Sequence, residues 1–285
     1  MGARPAGGVS VDVLLRLGRV SNLPTVWSNL AAGAAVCGAD LGVLALLLPA
    51  GTLFYTAGMF LNDAFDRRID AVERPERPIP SGQVTAGAVF AMGGAMMAAG
   101  LALVAPLGPE PALAALVLCG CILAYDWHHK GNPFSPLVMG ACRALLYVLV
   151  FATAPAPAAG WAVPAVALLA HVAGLTYAAR QENMAEFHDA WPLLMLAVPV
   201  AVVAAGADGP SAPFVLLFAG WLAHGLRLLL VRRVRDPRRA VGAMIAAISL
   251  FDACLIAEAG HPLPALAAVA AFGLTLGLHR RVAGT

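Results

Sequence analysis

The sequence NDAFDRRIDAVERPERPIPSG occupies residues 62–82, between two long apolar runs. Eleven of these twenty-one residues have charged or polar side chains, and three more are prolines. Asn62, Asp66 and Asp70 are spaced four residues apart, which on an α-helix places their side chains on one face. Asp63 and Arg67 lie on the neighbouring stripe. The spacing therefore predicts a helix that carries a row of oxygen ligands near its end.

This row of oxygen atoms suits Mg²⁺, which binds through a few carboxylates, keeps several waters and takes further ligands from substrate phosphates. Arginine guanidinium groups are well shaped to meet phosphate oxygens. Four arginines lie in this stretch: Arg67, Arg68, Arg74 and Arg77. The chemistry indicated is a diphosphate ester held through Mg²⁺. The alternative is a charged helix end with ion pairs between residues four apart, on a cytoplasmic loop.

The ordered pattern Asn-Asp-x-x-Asp-x-x-x-Asp, followed by Arg-Pro-Ile-Pro-Ser-Gly at 77–82, resembles the first aspartate-rich motif of the UbiA superfamily of intramembrane prenyltransferases. The resemblance extends in hydropathy over nearly the whole chain. It implies an all-α bundle of nine or ten transmembrane helices around a central cavity. In that family the motif binds Mg²⁺ and the diphosphate of a polyprenyl donor. A metal role is thereby implied for Asn62, Asp66 and Asp70, with Asp63 nearby.

Composition independently predicts a polytopic membrane protein. Of the 285 residues, 60% are hydrophobic and 12% are charged, about half the charged share of a soluble domain. We expect one transmembrane domain over residues 1–285, with a flexible start at 1–12 and no removable signal peptide. The five cysteines all lie in or beside apolar runs, and we expect them to be small apolar residues rather than disulfide partners.

Ten apolar runs approach the length of about 20 residues that a spanning helix needs. They lie near 20–38, 43–61, 84–105, 111–125, 136–153, 161–179, 191–206, 213–231, 240–259 and 263–279. All eighteen Lys and Arg residues fall at the two termini or around alternate connections between these runs. This bias predicts that both termini and the site loops are cytoplasmic, in the cell (inner) membrane, and it favours ten spans over nine.

Further polar residues are candidates for binding the substrate. Asn22 lies at the start of the first run, where a plain interfacial helix start is the alternative. Relatives often have a Tyr followed by Lys or Arg in the connection between the fourth and fifth runs, which implies diphosphate ligands at Tyr125 and Lys130. Arg143 lies inside an apolar run, where a charge is costly, and we expect it to face the central cavity. His128 and His129 are expected to be solvated.

The sequence departs from the family pattern after the sixth run. A Tyr-Ala pair is present at 177–178, but the second aspartate-rich motif expected there is replaced by Arg180-Gln181-Glu182. Arg180 and Glu182 are predicted to contact the substrate or to replace part of a second metal site. The alternative for Glu182 is an ion pair with Arg180 or with the arginines of the first motif. This signature resembles the EboC-type subgroup of UbiA-like proteins. Two polar residues inside apolar runs remain, His171 and Asp252, and we expect a helix–helix hydrogen bond for His171, with an acceptor site or a hydrogen bond open for Asp252.

The resemblance implies Mg²⁺-dependent transfer of a prenyl group to an aromatic or otherwise electron-rich acceptor, with catalytic roles for Asp66, Asp70 and Arg143. Its partners are a polyprenyl diphosphate, an unknown small-molecule acceptor and the bilayer, and we expect no nucleic acid. Two alternatives stay open. One is a repurposed UbiA-like protein that binds an isoprenoid diphosphate or aids metabolite processing or export, and the other is an intramembrane terpene cyclase.

Overall fold

The computed structural model describes residues 9–155, 160–180 and 190–281, and every regular element in these ranges is helical. The eleven α-helices are α1 (Val11–Leu17), α2 (Leu23–Cys37), α3 (Leu41–Glu73), α4 (Ala86–Val104), α5 (Pro109–His128), α6 (Ser135–Phe151), α7 (Ala162–Arg180), α8 (Ala197–Gly206), α9 (Ala212–Leu230), α10 (Pro237–Glu258) and α11 (Pro262–His279). Short 3₁₀ turns precede α2 and α8, follow α4, and lie between α9 and α10.

Each of the ten apolar runs corresponds to one of the helices α2 to α11. Within the described ranges, seven helices are long and apolar enough to cross a membrane, namely α3, α4 with its 3₁₀ extension, α5, α7, α9, α10 and α11. Two apolar helical stretches are shorter, Ser135–Phe151 and Trp191–Gly206. The chain is thus an all-α, multi-pass membrane protein, and the number of spans, nine or ten, stays a prediction.

Helix α1 begins inside the segment that we expected to be flexible. Ser10 accepts a hydrogen bond from the backbone N–H of Val13 and so caps the first turn. Val13 and Leu17 are buried in a small apolar cluster with Phe60 and Ala64 of α3. The contact attaches the start of the described chain to the polar end of α3.

Helix α10 is the centre of the larger apolar core. In the most apolar stretch of α10, 89% of the residues are buried. The helix packs with α2, α7, α9 and α11. A second core joins α2, α3, α5 and α6 on the other side of α2. At both cores small residues let helices approach closely: a Cβ at Gly140 of α6 would lie 2.6 Å from the backbone oxygen of Leu169 on α7.

The length of α3 places the site. Its 33 residues extend about 50 Å at 1.5 Å per residue, which exceeds the roughly 30 Å hydrocarbon core of a bilayer. Its first part is apolar, and its last turns carry Asn62, Asp66 and Asp70. After α3 the chain leaves the helix at Arg74, which places Arg77 beside Asp70. It then continues through Gly82, whose φ of 75° favours glycine.

Candidate active site

A cavity of about 650 Å³, here called the first cavity, lies among α2, α3, α5, α6, α7 and α10. Ten residues predicted from the sequence line it: Asn22, Asn62, Asp66, Asp70, Arg74, Arg77, Tyr125, Lys130, Arg143 and Arg180. Its remaining wall includes apolar side chains such as Val172, Leu175 and Ile248. The cavity therefore combines an acidic stripe, several cations and an apolar wall.

The acidic stripe on α3 is almost completely enclosed. Asn62, Asp66 and Asp70 are 6%, 5% and 2% exposed. Asp70 accepts a hydrogen bond from Arg77 at 2.6 Å, and Asp66 lies 3.2 Å from His129 Nε2. Each of the two carboxylates, one helical turn apart, therefore has a basic side chain beside it.

Asn62 is held between two other parts of the site. Its side-chain nitrogen donates to Asp126 of α5 at 3.2 Å, and its oxygen accepts from Arg19 at 3.4 Å. Asp126 is itself buried, 4% exposed. These contacts fix Asn62, the first member of the stripe, against α5.

Three predicted site residues do not line the first cavity, namely Asp63, Arg67 and the exposed Arg68. The single-residue step from Asn62 turns Asp63 by 100° around α3, and one of its carboxylate oxygens accepts from both Arg19, at 3.1 Å, and Arg77, at 3.3 Å. Arg67 donates to the backbone oxygen of Ala64 at 2.8 Å and lies over the ring of Phe90. The metal role of Asp63 and the phosphate role of Arg67 are therefore not supported by their placement.

Arg19, which binds Asp63 on this side of α3, has a strained backbone conformation. Its φ of 40° is the one positive φ of a non-glycine residue within the described ranges, a conformation that costs about 1–2 kcal/mol. Burial of the guanidinium works to lower the pKa of Arg19, but Asp63, Tyr55 and Tyr125 together outweigh it, and the pKa is raised from its ordinary value. The side chain is thus a fixed positive charge beside the stripe.

The cations come from three further helices or their ends. Lys130 lies 3.9 Å from Asp66 and 3.5 Å from Glu73, and 42% of its side chain is exposed. Arg180, at the end of α7, donates to the backbone oxygens of His129, at 3.1 Å, and of Asn132. It thereby holds the α5–α6 connection over the cavity. Glu182, which we expected beside it, lies outside the described residues.

Arg143 lies deepest among the cations. Its guanidinium donates to Thr25 and to Asn29 of α2, each at 3.1 Å, and stands 5.8 Å from the centre of the Tyr55 ring. The residue lines the first cavity, so the expected direction of its side chain agrees with the structure. The half-buried guanidinium therefore places a positive charge on the wall of this cavity.

Sequence reasoning missed four residues of the site: Arg19, Tyr55, Asp126 and His129. The expectation that His129 is solvated is wrong, because its side chain is 13% exposed and its ring stacks on Tyr125 with centroids 4.8 Å apart. A signal was available, since residues 125 and 129 are spaced four apart at the end of a helix and so share a face.

The donor set fits Mg²⁺, although no group of three or more His, Cys, Asp or Glu side chains within the described ranges is arranged to hold a metal ion. Asp66 and Asp70 supply two carboxylates on one face, and Asn62 adds an amide oxygen. Mg²⁺ commonly binds through one or two carboxylates and completes its shell with water and substrate phosphate.

A smaller apolar cavity of about 80 Å³ continues the first between α3, α5 and α6. The two share five lining residues: Tyr55, Met59, Tyr125, Met139 and Arg143. Beyond them the wall is mostly apolar, with Phe54, Leu118 and Ile122. The polar head of the site therefore leads into a hydrocarbon-like recess.

Fold and cavity together define a multi-pass helical membrane protein with a charged cavity at the end of an acidic helix face. Residues 21–189, more than half of the chain, match the model of the UbiA prenyltransferase family, and the chain belongs to that family. The resemblance to the EboC-type subgroup stays a prediction.

Curated relatives share part of this chain. The digeranylgeranylglyceryl phosphate synthase of Methanopyrus kandleri is 35% identical over 153 residues, 50% of this chain and 55% of the relative. The enzyme of that name from Methanothrix thermoacetophila is 37% identical over 124 residues, 42% of this chain and 46% of the relative. The matched region thus spans about half the length of these relatives.

Solved structures extend the likeness to most of the chain. A UbiA homologue from Aeropyrum pernix K1 has a TM-score of 0.67 at 19% identity, with 84% of this chain and 96% of that chain covered. A chain from structural work on digeranylgeranylglyceryl phosphate synthase in membranes has a TM-score of 0.64 at 16% identity, with 87% and 97% covered. At these identities the likeness shows the fold alone.

Proposed function

We propose that this protein transfers a prenyl group from a polyprenyl diphosphate to an electron-rich acceptor, with Mg²⁺, inside the membrane. The observation that carries the proposal is the first cavity, in which an acidic stripe faces basic side chains and an apolar recess follows. That combination suits a ligand with a diphosphate head and a hydrocarbon tail. Membership of the UbiA prenyltransferase family supports the same reaction.

The acidic stripe would hold the metal. Asp66 and Asp70 would bind Mg²⁺ with the amide oxygen of Asn62, and the ion when bound neutralises charge on the diphosphate. Lys130, on its long and half-exposed stem, is free to turn from Asp66 toward the phosphate oxygens. His129 keeps its stacked position on Tyr125 and remains beside Asp66.

The remaining cations act on the leaving group. In the reaction the bond between the allylic carbon and the diphosphate oxygen breaks, and the diphosphate keeps the electron pair. Arg143 and Arg180 stabilise the negative charge that develops there. The acceptor then gives an electron pair to the allylic carbon and loses a proton, so that the new bond replaces the broken one.

The apolar walls protect the cation-like carbon. Val172, Leu175 and Ile248 line the first cavity, and the recess beyond Tyr55 is lined by Phe54, Leu118 and Ile122 among others. Side chains of this kind exclude water, which would otherwise attack the carbon before the acceptor does. The isoprenoid tail would lie along this wall.

The acceptor class is an aromatic carbon or another electron-rich group such as a hydroxyl oxygen. The two curated relatives are named as synthases of digeranylgeranylglyceryl phosphate. A glyceryl compound as product supports a hydroxyl oxygen as one of the candidate acceptors. We also propose that residues 1–285 act as one domain in the cell (inner) membrane, with both termini and the first cavity on the cytoplasmic side, because the basic residues gather there.

Purified protein in nanodiscs tests the proposal with prenyl diphosphates from geranyl to long polyprenyl, with and without Mg²⁺. Thermal stabilisation reports binding, and released diphosphate reports ionisation of the donor. We expect release that requires Mg²⁺ and that falls by about a hundredfold or more in Asp66→Asn, because the variant loses a metal ligand. Glu110→Gln, which removes an exposed carboxylate at the start of α5, is the matched control.

Three other results would change the conclusion. Release that survives in Asp66→Asn would contradict the site. Stabilisation without release, in the presence of candidate acceptors, would favour the alternative of a binding or export protein. The absence of any response to Mg²⁺ and the whole donor series would contradict the donor class itself.

A further inference from the structure

A second cavity of about 750 Å³ lies beside the first and is assigned no role by the transfer reaction. Its walls come from α1, α9, α10, α11 and the segment after α3. Arg19, Arg74 and Arg77 line both cavities and form the wall between them. The second cavity is therefore a separate space on the other side of the arginines that meet Asp63.

The second cavity carries a net positive charge. Seven arginines line it, against two lining carboxylates, Asp63 and Glu76. Three further carboxylates pair with these arginines, Asp12 with Arg16, Asp70 with Arg77 and Asp236 with Arg239, so seven formal positive charges meet five negative ones. Arg239, in α10, and Arg280, directly after α11, stand at the exposed rim. The remaining surplus of two positive charges suits an anion with several oxygens, for which guanidinium groups are well shaped.

The floor of the same cavity is apolar. Trp221 and Leu228 of α9 and Leu276 of α11 line it, and the indole N–H of Trp221 already donates to the backbone oxygen of Ala243 at 3.0 Å. The ring therefore offers its apolar surface to the cavity. In the most apolar stretches of α9 and α11, only 28% and 17% of the residues are buried inside the protein. Both helices therefore face the bilayer.

We propose that the second cavity binds the phosphate head of a membrane amphiphile. The arginines would hold the phosphate, and the hydrocarbon chains would leave over Trp221 and Leu276 toward the lipid-facing sides of α9 and α11. Basic pockets between transmembrane helices bind anionic lipid heads by the same combination of charge and apolar surface. A free phosphate would use the arginines but leave the apolar floor without a partner. The inference is independent of the proposed transfer reaction.

The bound head would also contact the wall of the first cavity. His279 of α11 lines the second cavity, and its Nε2 lies 2.7 Å from the side-chain oxygen of Asn22, which lines the first. Arg19 and Arg77 face both spaces. An anion in the second cavity would therefore stabilise the arginines that hold Asp63 and flank the acidic stripe.

Native mass spectrometry of the full chain in detergent, without Mg²⁺, tests the proposal. The probe is dioctanoylglycerol phosphate, compared with dioctanoylglycerol and with inorganic phosphate. We expect one bound probe per chain and at least about tenfold weaker binding of each comparison compound. The double variant Arg239→Gln/Arg280→Gln should weaken binding of the probe by about tenfold or more, since each basic residue contributes to attraction of an anionic head.

Two control variants locate the binding. Arg68→Gln/Arg233→Gln removes the same charge from exposed positions that line none of the three cavities, and Lys130→Gln removes a cation of the first cavity alone. The double variant Arg68→Gln/Arg233→Gln and the single variant Lys130→Gln should each bind the probe as tightly as the unmodified protein does. Equal loss in Arg68→Gln/Arg233→Gln, or loss in Lys130→Gln but not in Arg239→Gln/Arg280→Gln, would overturn the site. Equally tight binding of dioctanoylglycerol or of inorganic phosphate would overturn the ligand class.

Discussion

The carboxylate of Asp252 accepts hydrogen bonds at the centre of a fully buried polar cluster that joins α2, α6 and α10. Its carboxylate accepts hydrogen bonds from Ser28 at 2.5 Å, from Asn29 at 2.9 Å and from Tyr147. Asn29 in turn accepts from Arg143. Of the two roles left open for Asp252, the structure shows helix–helix hydrogen bonding, and through Asn29 this bonding orients the deepest cation of the first cavity.

Replacement of Asp252 by alanine should therefore destabilise the fold. The buried donors of Asn29 and Tyr147 would be left without their acceptor, at about 1–3 kcal/mol each, whereas the Ser28 hydroxyl can still donate to the backbone oxygen of Thr25. We therefore expect a loss of about 2 kcal/mol or more in the free energy of unfolding. Ser249→Ala removes one hydroxyl contact with Ser28, at 2.9 Å, and should cost about 1 kcal/mol. Denaturation in mixed micelles measures both. Equal stability of Asp252→Ala and the unmodified protein would show that the cluster contributes nothing.

At the scale of the helix, α3 shows what the sequence can and cannot predict. The spacing of Asn62, Asp66 and Asp70 identified the face that lines the first cavity, because helical periodicity is a local property of the chain. The same spacing placed Asp63 nearby but did not predict that Arg19 would bind it. That contact joins residues 44 apart and depends on how helices pack.

Two polar residues of α7, Arg180 and His171, illustrate the same limit. Arg180 was singled out as a cation for diphosphate, and it does line the first cavity, but its guanidinium also holds backbone oxygens of the α5–α6 connection. His171 was expected to form a helix–helix hydrogen bond, and its Nε2 lies 2.9 Å from the backbone oxygen of Met244 on α10. Burial inside an apolar run predicted that His171 has a partner, while the identity of the partner required the fold.

The close packing of α6 on α7 should require a glycine at position 140. A methyl group at Gly140 would lie 2.6 Å from the backbone oxygen of Leu169, and a backbone atom cannot turn away as a side chain can. We expect Gly140→Ala to lose about 1–3 kcal/mol of unfolding free energy, as overpacked cores do. Gly120→Ala on α5, where a Cβ meets nothing within 4 Å, is the control.

Thermal unfolding of the two alanine variants in the same detergent compares them directly. Both add one methyl group to a membrane helix, so effects of helix propensity are shared. Similar melting temperatures for Gly140→Ala and Gly120→Ala would contradict the close approach of α6 and α7. Because Arg143 lies one turn from Gly140 on α6, loss of this packing should also reduce binding of the diphosphate donor.

At the scale of the molecule, two independent patterns agree. The sequence places all its basic residues at the termini or around alternate connections, and the structure collects arginines or lysines from most of these segments around two adjoining cavities. Charge bias alone predicted a common side of the membrane, since it needs no knowledge of packing. It did not predict the division into two cavities, which results from the Arg19, Asp63 and Arg77 contacts on the far side of α3.

The orientation in the membrane gives a prediction for the whole molecule. Gly209→Cys places a thiol in the exposed α8–α9 connection, where no neighbour obstructs it, and Arg233→Cys places one in the basic α9–α10 connection. We expect a membrane-impermeant maleimide to label Gly209→Cys on intact cells and Arg233→Cys only after permeabilisation, because arginine-rich connections stay in the cytoplasm. The five native cysteines are buried or half-buried, and the unmodified protein measures their background.

A third thiol, Arg281→Cys after α11, tests the number of spans. Arg239 at the start of α10 and Arg280 after α11 line the same second cavity, so α10 and α11 leave one end of the bundle and return to it. Arg281→Cys should therefore behave as Arg233→Cys does and react only after permeabilisation. Reaction of Arg281→Cys on intact cells, with Arg233→Cys protected, would mean that α10 and α11 together cross the membrane once. Nine spans would then replace ten, and the arginines of the second cavity would not share one side.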